Sequence, residues 1–399
     1  MILRLCLIWI LTCIGSAVCA EPISIYLTWQ KDPHTTMTIC WVTDGKGNGD
    51  QVEYQRVGET AWQKGKGVQR PFPDKFGFTV HQVELGNLLP HTDYAFRLEA
   101  ESKTYRFKTL SKEAATPLHF IVGGDVYHDD ISLVTKMNRQ AARLSPSFII
   151  LGGDLAYHEV KSSTKPKQHS RWIDLLTTWK NDLVTPEGRL IPILPIIGNH
   201  EVSGRWGINP SNAPHYYALF PRPGYSAFDV GNLATFILLD SGHTYPIAGA
   251  QTQWLDQALQ ARNKIPHKFA IYHVAAWPSI RHFSGQRKDE IHKFWIPLFE
   301  KHGINHAFEH HDHAYKRTYP LFKGKIDPRG IVYIGDGCWG VEEPRKPKKG
   351  YRWYLAKGLP KRNIISVRLQ GPERHLIVYD DDGEVLDEIY SGKDVSHTN

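Results

Sequence analysis

Five apolar runs in this chain stop abruptly on a residue able to bind a metal. Phe120-Ile121-Val122 runs into Gly123-Gly124-Asp125, and Phe148-Ile149-Ile150-Leu151 into Gly152-Gly153-Asp154. Ile193-Leu194-Pro195-Ile196-Ile197 meets Gly198-Asn199-His200, and Phe269-Ala270-Ile271-Tyr272 meets His273. The fifth, Gly303 to Phe308, leads into Glu309-His310-His311-Asp312-His313. Short apolar runs bounded by turn residues read as fully buried strands. Helical patterns lie between them: Trp172, Ile173, Leu176 and Trp179 recur on one face, as do Trp254, Leu255, Ala258 and Leu259. Buried strands alternating with helices predict a layered α/β domain, which collects ligands at the carboxyl ends of its strands. One aspartate after a strand is ordinarily a turn or cap residue. Five metal-capable strand ends in one domain predict a shared site.

The inventory at those ends is Asp125, Asp154, Tyr157, Asn199, His273, His311 and His313. His311 and His313 stand at i and i+2, which on an extended strand end puts both imidazoles on one side. Two carboxylates, a phenol, an amide and three imidazoles exceed what one ion uses, so the set predicts two metals with a bridging carboxylate. The absence of thiolates excludes an iron–sulfur cluster or a cysteine-rich zinc site. Three imidazoles are foreign to magnesium or calcium sites, and a phenolate suits a hard trivalent ion such as Fe(III).

The rest of the 399 residues sets the context. A basic start, an apolar core from Leu5 to Ile14 and small residues up to Ala20 predict a cleavable signal peptide over 1–20. That core is too short for a membrane span, so the expectation is a secreted or periplasmic protein without a span after cleavage. Three of the five cysteines leave with the signal, and Cys40 and Cys338 are expected as isolated buried thiols. A net charge of +7 is modest for this length, and no nucleic-acid-binding module accompanies the basic stretch 345–362. Over 21–112, Met37 to Val42, Tyr94 to Glu99 and Tyr105 to Lys108 alternate apolar with polar between Gly, Asn and Pro turns. They predict half-buried strands of a β-sandwich in front of an α/β domain at 117–392.

Asp125, Gly152-Gly153-Asp154-Leu155-Ala156-Tyr157, Gly198-Asn199-His200-Glu201, His273 and the segment from His311 to Arg317, in this order, resemble the metal-ligand blocks of the purple acid phosphatases. These belong to the calcineurin-like metallophosphoesterases. The segments 225–241, 251–259 and 330–337 are similar too, so the resemblance covers nearly the whole mature chain. Leu88 to Ala100 with Tyr105 to Leu110 resembles the closing hairpin of a fibronectin type III module. The resemblance therefore implies a fibronectin type III-like β-sandwich followed by an α/β sandwich of two sheets flanked by helices. It implies that Asp125, Asp154, Tyr157 and His313 hold Fe(III), and that Asp154, Asn199, His273 and His311 hold a divalent Zn, Mn or Fe, with Asp154 bridging. The implied activity is an acid phosphatase hydrolysing small-molecule phosphate monoesters by attack of a metal-bound hydroxide. A phosphodiesterase on the same metal core is the alternative. A non-catalytic binding protein is disfavoured because no ligand position is lost. His200 is implied to contact the phosphate, and His282 to protonate the leaving group.

The chain also departs from the family pattern. Tyr127, followed by His128, replaces a glycine two residues after the first aspartate, and His310 replaces the glycine before the histidine pair. Glu309 precedes it, Lys316 stands where the family has glutamate, and the loop 276–290 matches poorly. His128 and His310 are accordingly expected at the substrate entrance, beside His200 and His282.

Overall fold

The computed structural model describes residues 22–45, 49–98, 103–157, 170–206, 209–348, 350 and 352–392. The expected signal segment lies outside them. Among the described residues, no helix is long and apolar enough to cross a membrane.

The chain begins with two four-stranded antiparallel sheets. One runs in the order Ser24–Thr28, Met37–Asp44, Phe78–Leu85, Val68–Pro71, and the other Gln63–Lys66, Gln51–Arg56, Asp93–Leu98, Tyr105–Lys108. Tyr105–Lys108 alternates buried with half-buried, as its sequence predicts. Met37–Asp44 does not, because it is buried as far as Thr43. Met37, Ile39 and Trp41 face the other sheet, whereas Cys40 and Val42 join Tyr26 against Trp179 and Phe220 of the following domain. This sheet is covered on both faces, which corrects the half-buried expectation. Hydrogen bonds lock the junction: the Tyr26 hydroxyl donates to the Leu219 carbonyl (2.8 Å), and Arg222 donates to the Trp29 carbonyl (2.6 Å). Each aromatic side chain buried there contributes about 1.5–3 kcal/mol, so the sandwich is a fixed wall. Both described cysteines are free and buried, and burial pushes the Cys40 thiol up to about 12.

Two larger sheets follow. The six-stranded sheet has the order Ile193–Pro195, Phe148–Leu151, Leu118–Gly123, Ile364–Gln370, Glu373–Tyr379, Val385–Ser391. The seven-stranded sheet runs Ser226–Val230, Ala234–Leu238, His267–Val274, His306–His310, Val332–Gly335, Tyr315–Thr318, Leu355–Leu359. The first three strands of the six-stranded sheet are mutually parallel, as are Ala234–Leu238 through Val332–Gly335 in the other. The sheets face each other through aromatic rings: Phe120 meets Phe236 at 4.8 Å and Phe269 at 5.5 Å. Helices Ile131–Arg143 and Arg171–Asp182 cover the outside of the first sheet, and Ala250–Ala261 and Ile296–His302 the outside of the second. Covered on both faces, the parallel strands need no polar alternation, which is why they read as continuous apolar runs. The architecture is an α/β sandwich behind a β-rich domain.

Candidate metal centre

All seven residues at the strand ends meet. Asp125 follows the strand ending at Gly123, and Asp154 and Tyr157 follow the one ending at Leu151. Asn199 opens a turn after Pro195, His273 is the penultimate residue of its strand, and His311 directly follows His310. In one group, Nε2 of His273 lies 3.2 Å from Asp154 Oδ2, 3.2 Å from Asn199 Oδ1 and 3.1 Å from His311 Nδ1. In the other, Asp125 Oδ1 lies 2.9 Å from the Tyr157 hydroxyl and 3.0 Å from His313 Nε2, and those two atoms are 3.0 Å apart. The groups are neighbours, with the Asp125 N–H donating to the Gly153 carbonyl at 2.9 Å.

The backbone is bent to achieve this. Asp125, Asp154, Tyr157, His311 and His313 all have positive φ, between 48° and 79°. Residues other than glycine rarely adopt that region, and when they do they cluster at functional sites. The bend also corrects the reading of the histidine pair. Residues 311–314 are not an extended strand end, and the two imidazoles go to different groups, His311 to His273 and His313 to Asp125.

Asp154 Oδ2 is buried and faces His273 Nε2 at 3.2 Å. His273 Nδ1 donates to the Gly152 carbonyl at 2.9 Å, which turns Nε2 toward three acceptor atoms. Acceptors aimed at one another repel unless a proton or a cation lies between them. In the chain alone a proton serves: burial opposes charge on His273, yet the Asp154 carboxylate overrides it and raises the imidazole to about 9. Burial likewise opposes ionisation of Asp154, and His273 nevertheless holds it well below the ordinary carboxylate range. A cation is the alternative, and carboxylate, amide and imidazole donors without thiolate fit zinc, manganese or iron. Burial pushes the Tyr157 phenol well above 10, with Asp125 and Asp154 adding to it, so only a strong cation makes it a phenolate.

The neighbouring histidines divide. His200 donates its backbone N–H to Asp154 Oδ1 at 2.8 Å, and its ring stacks on Tyr157 at 4.3 Å. His128 sets its ring edge-on to Tyr157 (5.0 Å) and His313 (5.5 Å), with Nδ1 bonded to the Glu342 carboxylate. His282 lies on an exposed loop outside the buried cluster. His310 is not at an entrance. It is fully buried, and a Cβ at Gly152 would lie 1.9 Å from its Nε2, and one at Gly124 2.6 Å from its Nδ1. The glycines beside the two aspartates leave the space this imidazole occupies.

Residues 106–315 match the calcineurin-like phosphoesterase family, and residues 22–109 match the purple acid phosphatase N-terminal domain. Mouse acid phosphatase type 7 is 25% identical, over 92% of this chain and 90% of that protein. Purple acid phosphatase 21 of Arabidopsis thaliana is 26% identical over 77% and 69%. The fold superposes on the yellow lupin seed purple acid phosphatase with a TM-score of 0.74 at 16% identity, covering 94% of this chain and 75% of that one. The chain belongs to the purple acid phosphatase family. It is thereby a phosphoric ester hydrolase of the metallophosphoesterase fold, in a family built on a binuclear metal centre.

Two of its departures from the family pattern explain each other. Glu309 and Lys316 are both fully buried, and the Lys316 ammonium donates to the Glu309 carboxylate and to the Trp277 carbonyl. The acid gained at one position is the partner of the cation gained at the other. Glu309 also accepts from the Tyr272 hydroxyl (2.6 Å) and the Ala276 N–H (2.8 Å). Asp336 accepts from the Ser279 N–H (3.2 Å) and Asp312 from the Ile280 N–H (2.6 Å). These buried acids tether the loop after His273 residue by residue. Sequence reasoning also passed over Glu201. Its carboxylate accepts from the N–H groups of Asp154 (2.8 Å), Leu155 (2.7 Å) and Gly198 (2.8 Å), joining the loops that carry Asp154 and Asn199. Burial, reinforced by the Asp154 charge, pushes it up to about 8. An acid three residues after Gly198, at the start of a short helical turn, was the available signal.

Proposed function

We propose that this family member is a binuclear-metal acid phosphatase acting on small-molecule phosphate monoesters. The observation that carries the reading is Asp154, whose buried Oδ2 lies in a group of imidazole and amide side chains beside a second group rich in acidic oxygen. On this reading Asp125, Asp154, Tyr157 and His313 hold Fe(III). Three of those four groups are anionic or become so, which is what a trivalent ion requires. Asp154, Asn199, His273 and His311 hold a divalent Zn, Mn or Fe. Two such cations supply compensation for phosphoryl charge and the means to ionise water at or below neutral pH.

The chain supplies the positioning. The Gly152 carbonyl holds His273 in the tautomer that presents Nε2. Stacking on Tyr157 fixes the ring of His200, which stabilises the charge developing on the transferring phosphoryl group. His128, held by Glu342, contacts the alcohol side of the ester. Asp312 pins the backbone at Ile280 and Arg281, from which the next residue, His282, protonates the leaving alcohol.

The test combines metal analysis and a visible spectrum of the purified protein with phosphate-release assays. Two metals per chain, one of them iron, are expected, together with a visible band that disappears in Tyr157→Phe and faster turnover of monoesters than of diesters. A single metal, or a band that survives the substitution, refutes the assignment.

A further inference from the structure

A cavity of about 440 Å³ opens beside His311 and is lined by Trp206, Arg281, Arg287, Lys288 and Asp312 among others. Three cations stand there against one carboxylate, and that carboxylate is already committed. Asp312 accepts from the backbone N–H groups of Ile280 and Arg281 and faces the Arg281 guanidinium at 3.3 Å. The cations are held in place rather than splayed into solvent. Arg281 reaches the His311 carbonyl at 3.3 Å, and the Lys288 ammonium donates to the His282 carbonyl. Arg287 sits over the Trp206 ring at 5.2 Å and against Gly242, where a Cβ would lie 2.5 Å from its Nε. That Nε is buried without a hydrogen-bond partner. Trp206 stacks on His243 and gives the cavity an apolar wall. The volume is roughly fifteen times that of a water molecule in the liquid, enough for the alcohol part of a small ester.

We infer that this cavity is an anion subsite selecting phosphate esters whose alcohol part carries a further anionic group, a carboxylate or a second phosphate. The inference rests on the phosphatase reading above and adds a substrate class to it. With the ester phosphate at the buried cluster, an adjoining anionic substituent meets Arg281, Arg287 and Lys288, while its carbon skeleton lies along Trp206. A guanidinium and a nearby ammonium favour such a group through charge-assisted hydrogen bonds.

Two esters that differ by a carboxylate in place of a hydroxymethyl group, 3-phosphoglycerate and glycerol 3-phosphate, separate the possibilities. In the wild-type enzyme kcat/KM favours 3-phosphoglycerate by about fivefold or more, through KM, and added salt erodes the preference. Arg287→Gln and Lys288→Gln each lower that ratio, the double variant brings it to about one, and Arg287→Lys retains part of it. Equal efficiency on both esters in the wild type, or a ratio that the substitutions leave unmoved, overturns the subsite and leaves the phosphatase reading intact. Turnover of neither ester sinks both.

Discussion

Lys316→Met removes the cation on which a buried acidic cluster depends. Lys316 is fully buried, donates to the Glu309 carboxylate and lies 3.6 Å from Asp336 Oδ1, with both acids equally inaccessible to water. Burial opposes its charge, yet Asp336 and Glu309 hold the ammonium above the ordinary lysine value. Methionine fills much the same volume, so little of the effect comes from packing. What is lost is the neutralising charge, and stranding one partner of a buried pair costs about 3–5 kcal/mol. The Trp277 carbonyl also loses its donor, which adds the cost of an unmade hydrogen bond. With a urea m-value of about 3 kcal/mol/M, the unfolding midpoint should fall by more than about 1 M. Tryptophan fluorescence in urea at neutral pH reads this directly. The control is Glu309→Gln with Lys316→Met, because removing both charges should recover part of the loss and give a coupling energy of about 2 kcal/mol or more. A midpoint shift below about 0.3 M with an unchanged m-value would show that Lys316 is not what stabilises these acids.

Further outcomes are expected. Asp154→Ala should lose both metals together with activity, because on the proposed reading it is the anion that two cations would share, and a variant that retains metal and turnover would refute the shared-carboxylate reading. His200→Ala should lower kcat roughly 10²-fold on every ester with metal content unchanged, and a loss confined to KM would place it outside the transition-state contacts. His119, bonded to Ser366 at 2.8 Å, is pushed down to about 4 by burial, with Arg368 adding to it. Its folded value lies below the unfolded one, so its contribution is fully present above about pH 6.5 and is lost as pH falls toward 4, by up to about 3 kcal/mol. His119→Gln should therefore lose less stability than the wild type between about pH 7 and pH 4.5, as compared by urea midpoints, and parallel losses would exclude His119 as the acid-sensitive group.

The sequence alone determined the order of a β-rich domain and an α/β domain, and it marked the seven residues that the structure draws together. Those signals are local. Apolar runs, doubled glycines and the acid or imidazole after them all act within a few residues of each strand end, where backbone propensity leaves its trace. The helix face of Trp172, Ile173, Leu176 and Trp179 was legible for the same reason, and all four are buried. Tertiary structure decided the rest. Left-handed turns at His311 and His313 send neighbouring imidazoles to separate groups, an outcome no strand periodicity encodes. Gly124 and Gly152 take His310 into the interior, so a histidine expected at the entrance became a core residue. Val42, read as part of a half-buried strand, became buried because a second domain covers the outer face of its sheet. His128 and Glu342, 214 residues apart, meet only when the chain is folded. Lys316 can stand in the core because Asp336, just after the adjacent strand Val332–Gly335, and Glu309, on the strand beyond it, lie beside it. Partners brought together by sheet order leave no pattern in a local window, and burial acquires its meaning only once both sides of a strand are covered.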